Sequence, residues 1–213
     1  MIVTIDGPAG SGKSTVARLL AELLQVQFLD TGAMYRGIAL AVVRSDESET
    51  DAPAVGRIAE NTLINFQGDA ICIGDEDVSE EIRTAEVTAV SSVIATNPVV
   101  RNCLVQLQRN IGNEGSLVTE GRDQGSVVFP NAEFKFFLTA SVDARARRRH
   151  REMVAKGSKL KLATVRKQLR QRDQRDENRE VAPMKPAEDA QVIDTSDLSI
   201  AEVVQKLAAI VTG

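Results

Sequence analysis

The chain of 213 residues carries 43% hydrophobic and 26% charged side chains, the composition of an ordinary globular protein, which excludes disorder, collagen and coiled coil as global descriptions and leaves room for one substantial domain, alone or with an insert. Its net charge of −4 hides an asymmetry: residues 143–180 hold 14 Lys/Arg against 6 Asp/Glu, a net +8, and the rest of the chain carries −12. Two cysteines, Cys72 and Cys103, argue against a secreted disulfide framework and for unpaired buried thiols in a reducing compartment. The opening Met1-Ile2-Val3-Thr4-Ile5 reaches Asp6-Gly7-Pro8 at once, and no later run approaches ~18 apolar residues. Neither a signal sequence nor a membrane span is expected, and the expected location is the cytoplasm.

In chain order, residues 2–5 form a β-branched run, followed by glycines and then by Val16, Ala17, Leu19, Leu20, Leu23 and Leu24 at helical spacing. Further strands are expected at 27–29, 117–120, 134–138 and 191–194, and helices near 33–44, 52–62, 84–96, 98–111, 142–155 and 162–178. Ser199-Ile200-Ala201-Glu202 opens the last helix with a capping box. Alternating strands and helices imply a parallel sheet with right-handed crossovers and helices on both faces. Residues 63–78 break the pattern, because Gln67-Gly68-Asp69 and Gly74 punctuate short antiparallel strands too small to fold alone. They read as an insert in the sheet domain.

Gly7-Pro8-Ala9-Gly10-Ser11-Gly12-Lys13-Ser14 matches G-x-x-x-x-G-K-[ST] between the first strand and the first helix. Glycines there turn backbone amides toward phosphate oxygens, and the helix N-terminus favours negative charge. A nucleoside triphosphate is expected to bind, with Lys13 at the β- and γ-phosphates and the Ser14 hydroxyl on Mg²⁺. G-x-G-x-x-G, which a dinucleotide site requires, is absent, as is the N-K-x-D of guanine recognition. A small kinase fits best, because separated arginines, Arg36, Arg83, Arg101, Arg122, Arg172, Arg175 and Arg179, can grip a phosphorylated acceptor bidentately. The basic segment ends in interleaved acids and arginines at 172–179, and the chain has no Trp and one Tyr. Both features disfavour tracking along a nucleic acid.

The loop through Thr15, then Leu29-Asp30-Thr31-Gly32-Ala33-Met34-Tyr35-Arg36, Asp77-Val78-Ser79 with Ile82-Arg83, Pro98 with Val100-Arg101, Glu120-Gly121-Arg122-Asp123 with Val127-Val128-Phe129-Pro130, and Arg172-Asp173 with Arg175-Asp176 and Asn178-Arg179 follow one another as they do in bacterial cytidylate kinases. The chain resembles that family from Ile2 to about Val204. The one departure noted is Met184, where the family more often has leucine, a volume-matched exchange.

The resemblance implies a single P-loop NTPase domain over 1–213, a three-layer αβα core with a parallel five-stranded sheet. It adds an antiparallel insert for the nucleoside monophosphate at about 63–85 and a mobile helical lid at about 148–172. It implies transfer of the ATP γ-phosphoryl group to CMP or dCMP with Mg²⁺ by a monomer, with no nucleic-acid or membrane partner. Gly7, Pro8, Ala9, Gly10, Ser11, Gly12, Lys13, Ser14 and Thr15 would hold ATP. Asp123 would accept from the cytosine N4 amino group while Arg101 and Ser92 donate to the other edge of the base. Arg36 and Arg122 would hold the acceptor phosphate, Arg179 would sit near the transferring group, Arg172 and Asp176 would contact the sugar, and Thr31 and Tyr35 would line the pocket.

Several alternatives stay open at the level of sequence. Asp123 can form a salt bridge to Arg122 instead, and Asp30 can cap a helix or assist magnesium. His150 is expected at the surface without a catalytic role. Two other functions use the same loop: a nucleotide-switched nucleic-acid-binding protein, and a kinase of a non-nucleotide acceptor such as the shikimate kinases. Neither has a use for the Gly121-Arg122-Asp123 and 172–179 sets.

Overall fold

The computed structural model describes every residue except Asp69 and Lys156. In chain order the elements are β1 (Ile2–Asp6), α1 (Lys13–Leu24), β2 (Gln27–Asp30), α2 (Thr31–Arg44), α3 (Ala52–Asn61), β3 (Ile64–Gln67), β4 (Ala70–Ile73), β5 (Glu76–Asp77) and α4 (Ala85–Ile94). They continue with α5 (Pro98–Asn113), β6 (Leu117–Gly121), β7 (Phe134–Thr139), α6 (Val142–Ala155), α7 (Leu162–Asn178), β8 (Gln191–Asp194) and α8 (Ile200–Thr212). A 3₁₀ turn at Glu81–Arg83 and a π-helical segment at Gln124–Val128 were not expected from the sequence. The chain divides into two compact units, Met1–Leu29 with Glu114–Gly213, and Asp30–Asn113.

The five expected strands make one sheet in the order β2-β6-β1-β7-β8, with β1 parallel to β6 and β7, and β7 parallel to β8. Parallel neighbours far apart in sequence need crossovers, which the helices supply, giving the three-layer α/β architecture. Helices on both faces explain why β6 is buried at every residue rather than at alternate ones. Val16, Ala17, Leu20 and Ala21 of α1 and Val203, Val204 and Leu207 of α8 form one core with Val3, Ile5, Val118, Phe136, Leu138 and Ile193 of the strands. The left-handed Gln25, φ 55°, ends α1. The capping box forms as the sequence predicts: Ser199 Oγ accepts from Glu202 N at 3.3 Å, and Ser199 N donates to Glu202 Oε2 at 2.8 Å. Ala146 of α6 and Val165 and Leu169 of α7 make a smaller cluster with Ala9.

In the second unit the strands over 64–77 pair antiparallel in the order β3-β4-β5. The expected turn Gln67-Gly68-Asp69 includes Asp69, which lies outside the described residues, as does Lys156 in the expected lid. Side chains start the helices here: Asp30 caps α2, Asp51 caps α3 and Thr84 caps α4. Asn97 serves two elements, accepting from Val99 N at 2.9 Å and donating to Ala52 O at 2.9 Å. Both cysteines are free thiols. Cys72 is buried in β4, whereas Cys103, expected to be buried, is half-exposed, because the inward stripe of α5 runs through Val100, Arg101, Leu104 and Gln108. Among the described residues no helix is long and apolar enough to cross a membrane.

Phe136 is 1% exposed at the centre of the sheet core. Phe136→Ala is expected to lower the unfolding free energy by about 3–5 kcal/mol, read as a fall in the urea midpoint at unchanged m-value.

Candidate active site

β1 ends at Asp6 and α1 begins at Lys13, so residues 7–12 form the loop at the carboxyl end of a central strand. Gly7 has φ +144°, and a Cβ there would lie 2.1 Å from the Leu138 carbonyl oxygen, which excludes every other residue. Gly12, φ 91°, is the N-cap of α1 and makes no side-chain cap, so the first amides of the helix face the loop. The outer side of the loop is pinned. Thr195 Oγ1 donates to Ser11 O at 3.1 Å and Arg145 Nη1 donates to Ala9 O at 3.0 Å. Arg145 also donates to Ala140 O at 2.9 Å and pairs with Asp173 at 2.8 Å. Arg148 donates to Thr195 Oγ1 and to the carbonyls of Thr195, Ser196 and Leu198.

Inside the loop, charges are buried together. Lys13 Nζ donates to Pro8 O at 3.2 Å and lies 3.8 Å from Glu120 Oε2. Ser14 Oγ donates to Glu120 Oε1 at 2.8 Å. Burial, reinforced by the nearby Arg122 guanidinium, pushes the Lys13 ammonium down to about 7. Asp6 is buried at the strand end and accepts from Gln124 N and Gly125 N, both at 2.8 Å. Its burial outweighs those two hydrogen bonds and pushes the carboxyl up to about 7.

Directly after β6, Arg122 Nε donates to Asp176 Oδ2 at 2.7 Å, and Asp123 Oδ1 lies 3.3 Å from Arg179 Nη2. Two pairs thus run from the segment after β6 to the C-terminal end of α7 and the residue that follows it. Arg172 and Asp176 fall one helical turn apart on α7, and Arg179 follows its last residue. Burial works against the Arg122 cation, but Asp176 and Glu120 hold it above its ordinary value. Arg179 Nε also donates to Ala182 O, which shapes the chain after α7.

The other predicted residues lie in the second unit. Thr31 is buried at the start of α2, and Tyr35 and Arg36 follow on the same helix. Arg101 of α5 is 4% exposed and donates to Tyr35 Oη at 3.2 Å. Asp30 accepts from Ala33 N at 2.8 Å, the helix-capping alternative, and lies 3.4 Å from Arg36 Nη2. Ser92 of α4 has a hydroxyl shielded from solvent that makes no hydrogen bond among the described residues. Arg83 and Arg175 donate to the backbone of their own turns. His150, expected as a solvated surface residue, is half-buried against α7's approach, with Nε2 2.9 Å from Leu160 O.

Four residues that line the site carry no role in the sequence reading: Asp6, Glu120, Arg145 and Arg148. Asp6 ends β1 and Glu120 is the next-to-last residue of β6, and the parallel register that sets Ile5 against Glu120 is what brings the carboxylate to the loop.

The profile of the family described as cytidylate kinase matches residues 3–213. The chain belongs to the cytidylate kinase family. Among curated cytidylate kinases, that of Carboxydothermus hydrogenoformans is 45% identical, with 99% of this chain and 97% of that protein covered. The one from Mycobacterium avium is 46% identical over 99% and 95%. Among solved structures, an uncharacterized protein from Eubacterium ventriosum aligns with a TM-score of 0.56 at 12% identity, covering 100% of this chain and 99% of that one. TT1252 from Thermus thermophilus aligns at 0.50 and 18%, with 100% and 98% covered. These two likenesses concern the fold, whereas the cytidylate kinase assignment rests on the full-length sequence matches.

Asp6 supplies a pH signature. An acid raised in the folded state from 3.8 to about 7 contributes stability that is complete below ~4 and lost as the pH rises to about 7. The stability difference between wild type and Asp6→Asn is therefore expected to move against the wild type between pH 4 and 7 and to level off above it. Urea midpoints measured across that range check the sign.

Proposed function

We propose that this member of the cytidylate kinase family transfers the γ-phosphoryl group of ATP to CMP or dCMP, releasing ADP and CDP or dCDP. The observation that carries the reading is the parallel pairing of β1 with β6. It makes the glycine loop and Gly121-Arg122-Asp123 neighbouring strand ends, with Asp6 opposite Gly121. The donor side is residues 7–15. The acceptor side is Thr31, Tyr35, Arg36, Ser92, Arg101, Arg122, Asp123, Arg172, Asp176 and Arg179.

A nucleoside monophosphate needs no general base, because its second ionisation near ~6 leaves the attacking oxygen unprotonated at neutral pH. The work left to the protein is alignment and charge compensation. Lys13 sits at the loop with its ammonium depressed to about 7, and the negative charge of a triphosphate favours the protonated form that neutralises it. With Arg36 also at the acceptor phosphate, Arg122 and Arg179 supply permanent charge there and near the transferring group, respectively. The carboxylates paired with them, Asp176 and Asp123, keep these cations oriented. Arg172 and Asp176 take the sugar, and Thr31 and Tyr35 line the acceptor pocket.

Base selection follows from donors and acceptors. Asp123 accepts from the cytosine N4 amino group, where uracil presents a carbonyl, and Arg101 and Ser92 donate to O2 and N3. The shielded Ser92 hydroxyl, with no partner among the described residues, suits that task. A buried acceptor without its partner is a strong source of rejection.

The Ser14 hydroxyl and the Glu120 carboxylate, 2.8 Å apart, are hard oxygen donors, and they fit magnesium with Ser14 as a ligand and Glu120 beside it. Among the described residues no group of three His, Cys, Asp or Glu side chains could hold a metal by itself, so Ser14 and Glu120 would be the protein's contribution to such an ion. Bound there, it supplies positive charge against the β- and γ-phosphates. The antiparallel insert at about 63–85 serves the acceptor, and residues 148–172 act as a basic lid that excludes water. The reading has the enzyme act as a monomer in the cytoplasm, without a nucleic-acid or membrane partner.

A coupled ADP-release assay with ATP and Mg²⁺ and each of CMP, dCMP, UMP and AMP tests the reading; CMP and dCMP are expected to turn over best. If no monophosphate is phosphorylated while polynucleotide stimulates ATP hydrolysis, the reading fails. Lys13→Met is expected to lower kcat by about 10²-fold or more with CMP as acceptor. Asp123→Ala is expected to reduce the preference for CMP over UMP, and an unchanged kcat/KM ratio would remove Asp123 from base reading.

A further inference from the structure

The segment after β6 has to hold Arg122 and Asp123 in place while leaving strand geometry. It does so through an uncommon local structure. Val127 N and Val128 N both reach Asp123 O, at 2.9 and 3.2 Å, and Phe129 N reaches Gln124 O at 2.7 Å, the π-helical turn over Gln124–Val128. Such wide turns are rare and need outside support. Their first amides have no partner within the turn, and here those of Gln124 and Gly125 are both taken by one carboxylate, Asp6, through separate oxygens at 2.8 Å each. Thr119 Oγ1 donates to Gln124 Oε1 at 2.9 Å from the strand behind.

We propose that Asp6 is a positioning residue for acceptor selection: its carboxylate caps the Gln124–Val128 turn across the sheet and thereby fixes the direction in which Arg122 and Asp123 leave β6. The placement has a mechanical logic. Asp6 immediately precedes Gly7 of the donor loop and lies opposite Gly121 in the β1–β6 register. One side chain therefore ties the backbone that carries the acceptor-reading pair to the backbone that begins the phosphate loop. Asparagine is a poor replacement. It offers one acceptor oxygen, and its amide nitrogen would face the second N–H. Glutamate keeps both acceptors but adds a methylene, which displaces the turn.

This inference rests on the reading of Asp123 as the base-selecting acid, and the experiment separates the two. Steady-state kinetics with CMP and UMP are measured for wild type, Asp6→Asn, Asp6→Glu and Asp123→Ala, with the KM for ATP determined in each. The expected result is a loss of CMP-over-UMP preference of about tenfold in Asp6→Asn and a smaller loss in Asp6→Glu, with the KM for ATP within about threefold of wild type. A purely structural role would lower the active fraction alone, reducing kcat with both acceptors equally and leaving the preference unchanged. That result in Asp6→Asn, or in Asp6→Glu if the asparagine variant does not fold, together with a lost preference in Asp123→Ala, overturns the positioning role. An unchanged preference in Asp123→Ala overturns the base-reading assignment instead.

Discussion

Like and unlike charges are taken out of water together at the carboxyl ends of β1 and β6, and the rest of the molecule is arranged to make that tolerable. An unpaired buried ion is far more costly than a paired one. Lys13 lies near Glu120, Arg122 is matched by Asp176, Arg179 by Asp123, and Asp6 by two backbone amides. Lys13, Arg36, Arg122 and Arg179 each have an acid beside them, Glu120, Asp30, Asp176 and Asp123 in turn. The sheet provides the dry support, with β6 buried along its whole length.

The same principle divides the basic segment into parts with different tasks. Arg145 and Arg148 are drawn inward, where they fasten the glycine loop and the turn after β8 through backbone carbonyls. Arg147, Arg149 and Arg151, interleaved with them on α6, stay at the surface. A run that looks uniform as a string of letters is a fastening with a solvated outer face.

Much of the architecture was legible in the sequence, because each signal was local. The β-branched run ahead of the glycines, the capping box at Ser199 and the G-x-x-x-x-G-K-S spacing involve residues within a few positions of one another, and all three appear where expected. Asp6 and Glu120 escaped because their meaning is set by strand register: nothing near Glu120 in the chain announces that it will stand beside Ser14. The partners Asp176 and Arg179 escaped for the same reason, since they come from the end of α7 and the residue after it, more than fifty residues away. Cys103 was misread on a composition argument that helix periodicity on α5 overrides.

The absence of space for a side chain at Gly7, with the Leu138 carbonyl 2.1 Å from where a Cβ would lie, makes the glycine loop an extension of two strands rather than a free-standing loop. Its backbone dipoles are oriented when the sheet folds, independently of any ligand. Amide donors held this way need little reorganisation to meet an anion, so part of the ordering cost of binding one is already borne by the folded sheet.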